Sequence, residues 1–184
     1  MSIAWGRTSC EEEASMLGEY PLQQHARQRA AQSQRTFRHR AKAILKPPHD
    51  CLLEESVGGL TLLARNEEAL AAAALALREV FGAALELAPP QVRLTGTPPH
   101  EPVMNVRANV PASRIESVKR ILHRRGVTVL EESNGSTRCL LRAEAPLARL
   151  LGLGADLKGV TLGTSLLWTQ LAHYAPINAE RAAA

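Results

Sequence analysis

The chain has 184 residues, 45% of them hydrophobic, an ordinary share for one medium-sized domain or two small ones. Lys and Arg outnumber Asp and Glu by 22 to 18, a formal charge of +4 with a pI near 9.3; this favours an acidic partner such as nucleic acid, but an excess of this size on its own does no more than keep a chain soluble. No apolar run approaches the ~20 residues that span a bilayer, and Glu11, Glu12 and Glu13 argue against a secretory signal or transit peptide, so a cytoplasmic protein without a membrane partner is expected.

Residues Met1 to Leu22 lack periodicity and mix Gly18 and Pro21 with the acidic run, which predicts a poorly ordered arm. Gln23 to Arg35 is rich in Ala, Gln and Arg, all good helix formers, and predicts a solvent-facing helix. The interval Gln23 to Lys46 contains no Asp or Glu, yet holds Arg27, Arg29, Arg35, Arg38, Arg40, Lys42 and Lys46. This one-sided stretch carries more information than the net charge.

Arg40 to Leu45 predicts a strand ending at Pro47-Pro48. Cys51 to Glu55 and Leu60 to Ala64 are short apolar runs around Val57-Gly58-Gly59, which reads as a hairpin. Asn66 offers an N-cap, followed by Glu67 and Glu68 where the helix dipole favours negative charge. Leu70, Ala74, Leu77 and Phe81 form a helical stripe that Gly82 closes. Leu85 to Leu94 is a strand region interrupted by Pro89-Pro90. Thr95 to Pro102, with Gly96, Pro98 and Pro99, reads as the linker to a second unit.

In that unit Met104, Val106, Ala108 and Val110 alternate with Asn105, Arg107 and Asn109, a strand with one buried face. Ile115, Val118, Ile121 and Leu122 make a helix stripe, and Gly126 stops the helix. Val127 and Val129 start a second strand, and Asn134-Gly135 is a strong hairpin signal. Cys139, Leu141 and Ala143 face inward on a third strand, with Arg138 and Arg142 outward. Pro146 opens a helix broken near Gly152 and Gly154, and a last strand runs from Leu166 to about Tyr174. The order is β-α-β-β-α-β, the split βαβ or ferredoxin-like plan.

Catalytic and cofactor chemistry finds little support. Cys10, Cys51 and Cys139 are isolated, with no C-x-x-C. The histidines show neither H-x-x-x-H nor H-E-x-x-H spacing. Gly152-Leu153-Gly154 would need a third glycine where Leu157 stands, and no G-x-x-x-x-G-K-[ST] occurs. No G-x-S-x-G surrounds a serine. No catalytic residue, cofactor, metal or bound nucleotide is expected. The basic residues remain as candidates for pairing with phosphates: Arg27, Arg29, Arg35, Arg38 and Arg40 in the first stretch, Lys119, Arg120, Arg124 and Arg125 on the second unit's helix beside His123, and Arg107, Arg138 and Arg142 on its outward sheet face. A solvated face, or one packed against the first unit, is the plain alternative. Base stacking on this sheet is disfavoured, because its outward positions are read as lacking aromatic rings.

Several motifs together resemble a known family. Glu101-Pro102-Val103-Met104 followed by a strand, a helix and Arg124-Arg125-Gly126 resembles the start of domain V of elongation factor G. Ala155-Asp156-Leu157, Thr161, Gly163 and His173-Tyr174-Ala175-Pro176 sit where that family has Asp-Leu, Thr-x-Gly and His-Tyr-x-Pro signatures. The helix ending at Val80-Phe81-Gly82 and the Pro89-Pro90-Gln91-Val92 strand resemble the second half of domain III. The first helix of domain III is missing from this reading, or is replaced by the basic stretch before Arg40. Domain III followed directly by domain V resembles the BipA and LepA branches. The family has a polar residue and an Arg around its signature Gly, whereas Leu162 and Thr164 stand here.

The expected fold class is therefore α+β: two ferredoxin-like units, the first incomplete, behind a basic N-terminal extension. The divisions are an arm at 1–36, partly disordered or helical, a partial domain III-like unit at 37–97, a domain V-like unit at 98–178 and a tail at 179–184. What the resemblance implies is a factor tail without its GTPase domain, docking on the ribosome or structured RNA. The alternative is a protein–protein or homodimerisation module that does not bind nucleic acid, which the Leu162 and Thr164 departures favour.

Overall fold

A computed structural model describes residues 18–29, 34–45 and 50–177, and the chain divides into two units, Met1–Arg93 and Leu94–Ala184. Residues 1–17 of the arm expected at 1–36 and the tail at 179–184 lie outside the described residues, as do Lys46 and Pro47-Pro48.

The first unit is built around a strand that propensity concealed. β1 (Leu22–Gln28) alternates cleanly, with Leu22, Gln24 and Ala26 inward and Arg27 exposed. It pairs antiparallel with β3 (Gly59–Ala64) on one side and with β4 (Leu85–Leu87) and β5 (Gln91–Val92) on the other. The helix expected over Gln23–Arg35 is thus a central strand up to Gln28. Ladder hydrogen bonds on both edges outweigh the helix propensity of Gln and Ala, which is a weak prior. The inward Gln24 is satisfied, its Nε2 donating to the Ala88 carbonyl at 2.7 Å. Gly59 lies against β1 so closely that a Cβ would overlap the Ala26 carbonyl oxygen.

The strand expected over Arg40–Leu45 is likewise a helix, α1 (Gln34–Ile44). Phe37, Ala41 and Leu45 are buried at a spacing of four, while Arg40, Lys42 and Ala43 are exposed. That period belongs to one face of a helix and not to a pleat. The Phe37 ring packs edge-on against Phe81, centroids 4.9 Å apart at 67°. Phe81 closes the stripe Leu70, Ala73, Leu77, Phe81 on α2 (Glu67–Phe81), which begins where Asn66 Oδ1 accepts from the Ala69 amide at 2.8 Å. α2 ends at Gly82, whose φ of +52° is open to glycine. The hairpin of β2 (Cys51–Ser56) with β3 stands as read, closing with Ser56 opposite Gly59.

β1, α1, β2, β3, α2 and β4 give the sheet order β2-β3-β1-β4. α1 supplies the helix that the sequence reading left missing, so the first unit has both helices of the split βαβ plan.

The second unit has the same plan. β6 (His100–Pro111) is central, α3 (Ile115–Arg124) follows, then the hairpin β7 (Thr128–Asn134) and β8 (Arg138–Pro146), the short helices α4 (Leu147–Leu150) and α5 (Leu153–Val160), and β9 (Leu166–Pro176), in sheet order β7-β8-β6-β9. Met104, Val106, Val110, Ile121, Cys139 and Leu141 are all buried, as the alternation predicts. Arg107 and Arg142 lie opposite each other on the exposed face, so the register is the one read from the pattern. The fold class is α+β with two antiparallel sheets. No helix among the described residues is long and apolar enough to cross a membrane.

The α1 assignment has a direct consequence. Phe37→Ala removes a fully buried ring from the α1–α2 contact and should cost about 3–5 kcal/mol of stability. Urea unfolding followed by far-UV circular dichroism measures it. A change within about 0.5 kcal/mol, the scale of a surface substitution, would place Phe37 outside a packed core.

Candidate nucleic-acid interface

The amphipathic pattern of α3 sorts its side chains. Val118, Ile121 and Leu122 are buried under the sheet, which leaves Arg120, His123 and Arg124 exposed on the opposite side. Among the described residues Arg120 makes only local bonds, Nε to the Glu116 carbonyl at 3.4 Å and an Nη to Ser117 Oγ at 3.2 Å. Among the described residues neither Arg120 nor Arg124 has a carboxylate partner. Ser117, Lys119, Arg120, His123 and Arg124, together with Val160 at the end of α5, line an open depression of about 630 Å³. A hollow rimmed by guanidinium groups and an imidazole is suited to phosphate oxygens.

Lys119 differs from its neighbours. Its Nζ lies 2.5 Å from Glu132 Oε2 on β7 and 3.5 Å from Glu116 Oε1. The hydrogen bond to Glu132 holds the ammonium above its usual pKa, and the same bond holds the Glu132 carboxyl below its own. Lys119 therefore anchors α3 to the β7–β8 hairpin at one edge of the depression.

Other predicted cations are also engaged within the fold. Arg27 and Arg29 both donate to Glu86 on β4, and the hydrogen bonds from Arg29 and then Arg27 lower the Glu86 pKa. Lys42 and Arg38 both reach Glu55 on β2 at 2.7 Å and lower its pKa, Lys42 with the larger effect. Arg40 stacks over Phe81, 5.2 Å from the ring centroid. Arg35 is exposed, with no ion pair among the described residues. These side chains brace β1 and α1 against neighbouring strands, and deleting residues 1–35 would remove the central strand β1 along with the charge.

Arg125 and Arg138 brace the second unit. Arg125 donates to Asp156 Oδ2 at 2.6 and 3.1 Å and to the carbonyls of Arg149 and Leu151 at 3.0 and 2.7 Å, tying the end of α3 to α4 and α5. Arg138 donates to Asn109 Oδ1 at 2.5 Å and to the carbonyls of Asn109 and Thr164 at 2.9 Å. Arg142 pairs with Glu131 at 3.0 Å, and Arg107 has no ion pair among the described residues.

Sequence reasoning missed one residue here. The outward sheet positions do carry an aromatic ring: Trp168 on β9 lies opposite Arg107 and is 52% exposed. The signal was present, since the less exposed Leu167, Thr169 and Leu171 alternate with Trp168 and Gln170, but the faces of the last strand were not assigned. Cysteine chemistry remains unsupported: Cys51 and Cys139 are buried, and burial pushes the Cys51 thiol up to about 11, against thiolate formation. No group of three or more metal-ligating side chains occurs among the described residues.

Residues 99–184 match the family model of the elongation factor G C-terminus. The second unit is thus similar to the C-terminal domain of elongation factor G and has the ferredoxin-like fold expected of domain V. Elongation factor G of Granulibacter bethesdensis is 36% identical over 78 residues, which is 42% of this chain and 11% of that protein. Elongation factor G 2 of Hahella chejuensis is 31% identical over 99 residues, 53% of this chain and 13% of that protein. The chain therefore spans a small fraction of the length of these relatives. A crystal structure of a Thermus thermophilus protein matches 89% of this chain and 42% of its own, with a TM-score of 0.63 and 15% identity. At that identity the likeness is one of fold.

The neighbouring arginines at the end of α3 should separate in experiment. Arg125→Ala loses an ion pair and two carbonyl contacts and should cost about 2 kcal/mol. Arg124→Ala, exposed and without a described carboxylate partner, should stay within about 0.5 kcal/mol. Urea unfolding followed by tryptophan fluorescence in a Trp5→Phe chain, where Trp168 reports on the second unit, distinguishes them.

Proposed function

We propose that this chain is a non-catalytic accessory protein of translation that binds the ribosome or structured RNA through the exposed face of α3. The observation that carries the reading is the cluster of Arg120, His123 and Arg124, without described carboxylate partners, around a depression in an elongation factor G-type domain. Guanidinium groups neutralised within the fold contribute little to a phosphate backbone, whereas free ones displace its counterions. Arg120 and Arg124 therefore carry the contact, with His123 supplying a donor between them. Lys119 contributes by holding the helix in place. Arg107 and Arg35 are further accessible cations, and the ion pair of Arg142 with Glu131 and the bracing roles of Arg27, Arg29, Arg38, Arg40, Arg125 and Arg138 leave those residues secondary.

The first unit is read as domain III-like and the pair as the BipA- and LepA-like succession of III and V. The split βαβ strand order common to the two units is what supports this reading of the first unit. The 184 residues contain no phosphate-loop motif, so binding by this chain follows availability of the partner and not nucleotide hydrolysis; the expected setting is the cytoplasm. Calorimetry with GTP or ATP should show no saturable micromolar binding.

The rival reading, a protein-pairing or homodimerising module, draws on exposed apolar side chains. Leu162 is 79% exposed where the resembled family has a polar residue, and Leu166 is 52% exposed. Co-sedimentation with ribosomes separates the readings. Arg120→Glu with Arg124→Glu should weaken association at least tenfold at low salt, leave the fold intact and reduce the slope of log K against log salt by about 2. Unchanged association of the folded double variant would refute the α3 mechanism. Nuclease treatment of lysate before a pull-down should release the partners if RNA holds them.

A further inference from the structure

The second unit's sheet presents an open face that the α3 reading does not use. Strand register builds a row across it: Glu131 on β7, Arg142 on β8, Arg107 on β6 and Trp168 on β9. Asn105 and Gln170 flank the row on one side, and Asn109 and Leu166 on the other. Arg142 already shares its charge with Glu131 at 3.0 Å. Arg107, between Arg142 and the indole, is exposed and has no carboxylate among the described residues.

We infer that this sheet face is a second contact site, one that seats an unpaired RNA segment by stacking a base on Trp168 and pairing a phosphate with Arg107, with Arg142, shared with Glu131, next along the row. The inference rests on the RNA-binding reading above and extends it from structured to single-stranded nucleotides. An indole half open to solvent offers a flat π surface that accepts any base. The guanidiniums sit one and two strand spacings away, up to about 10 Å, so a backbone leaving the stacked base crosses them. The side-chain amides of Asn105 and Gln170 present both donors and acceptors, which match the edges of an unstacked base.

A duplex does not fit this arrangement, because its bases are already stacked on one another and present no free face. A protein partner fits less well. Trp and Arg are common at protein interfaces, but covering Trp168 with apolar surface would strip water from Arg107 without giving it an anion. A phosphodiester chain supplies that anion at the required place.

The test uses the full chain carrying Trp5→Phe, so that Trp168 is the only tryptophan. Titration with a single-stranded oligoadenylate should quench Trp168 fluorescence saturably, and a duplex of equal length should compete at least tenfold more weakly. Trp168→Ala, followed by anisotropy of a labelled strand, should weaken binding about tenfold, while Trp168→Phe, which keeps a ring, should recover most of it. Arg107→Gln should weaken binding and flatten its salt dependence. Arg120→Glu with Arg124→Glu should lose ribosome association yet retain the quench, so failure of the α3 reading and failure of this one give different results.

Absence of quenching, equal competition by duplex, or unchanged strand affinity in folded Trp168→Ala would each overturn the inference. So would sedimentation showing a dimer of the chain that Trp168→Ala converts to monomer, since the face would then be covered by a second copy.

Discussion

In each unit the pleat of a central strand decides where everything else can go. β6 pairs on both sides, with β8 and β9, and a strand held at both edges cannot slip by one residue without turning its whole apolar set to solvent. Met104, Val106, Ala108 and Val110 thereby point toward the side that α3 and α4 cover, and Asn105, Arg107 and Asn109 are committed to the other face. The stripe Val118, Ile121, Leu122 must meet that core, which turns Arg120, His123 and Arg124 outward. The proposed contact surfaces are both consequences of this register. β1 plays the same part in the first unit, between β3 and the pair β4 and β5.

The arginines show how a fold withdraws charge from use. Many of the predicted contacts have a carboxylate, carbonyl or ring within the same unit: Arg27 and Arg29 share Glu86, Arg38 shares Glu55 with Lys42, Arg40 lies over Phe81, and Arg125 and Arg138 hold carbonyls. Exposed ion pairs contribute little to stability individually. Their geometric effect is larger, because each joins two elements, and a side chain held this way is less available to an external phosphate. Four of the seven cations in the Gln23–Lys46 stretch, Arg27, Arg29, Arg38 and Lys42, therefore meet two carboxylates from other strands, Glu86 and Glu55.

The turn before β9 illustrates a departure absorbed by local chemistry. Thr161 is buried, its hydroxyl donating to the Leu157 carbonyl at 2.6 Å and accepting from the Ser165 amide at 3.2 Å, so one residue caps α5 and starts the return to the sheet. Leu162 and Gly163 follow with φ of +54° and +78°. A left-handed leucine costs about 1–2 kcal/mol relative to ordinary backbone. Its side chain is exposed, so packing within the described chain does not repay that cost.

Local patterns alone determined the elements whose signal is local: the Asn66 cap and Gly82 stop of α2, the Val57-Gly58-Gly59 and Asn134-Gly135 hairpins, the alternating faces of β6 and β8, and the amphipathic α3. The motifs Glu101-Pro102 and His173-Tyr174-Ala175-Pro176 likewise carried the resemblance to the elongation factor G C-terminus, whose family model residues 99–184 match. Tertiary structure alone decided β1 and α1. Leu22–Gln28 has the composition of a helix and becomes a strand because both edges find partners distant in sequence. Which arginines are accessible was equally illegible, since Glu55, Glu86 and Asp156 approach them only when strands and helices assemble. The pairing of Trp168 with Arg107 joins residues far apart in the chain, and only the register of β9 on β6 places the ring beside the charge.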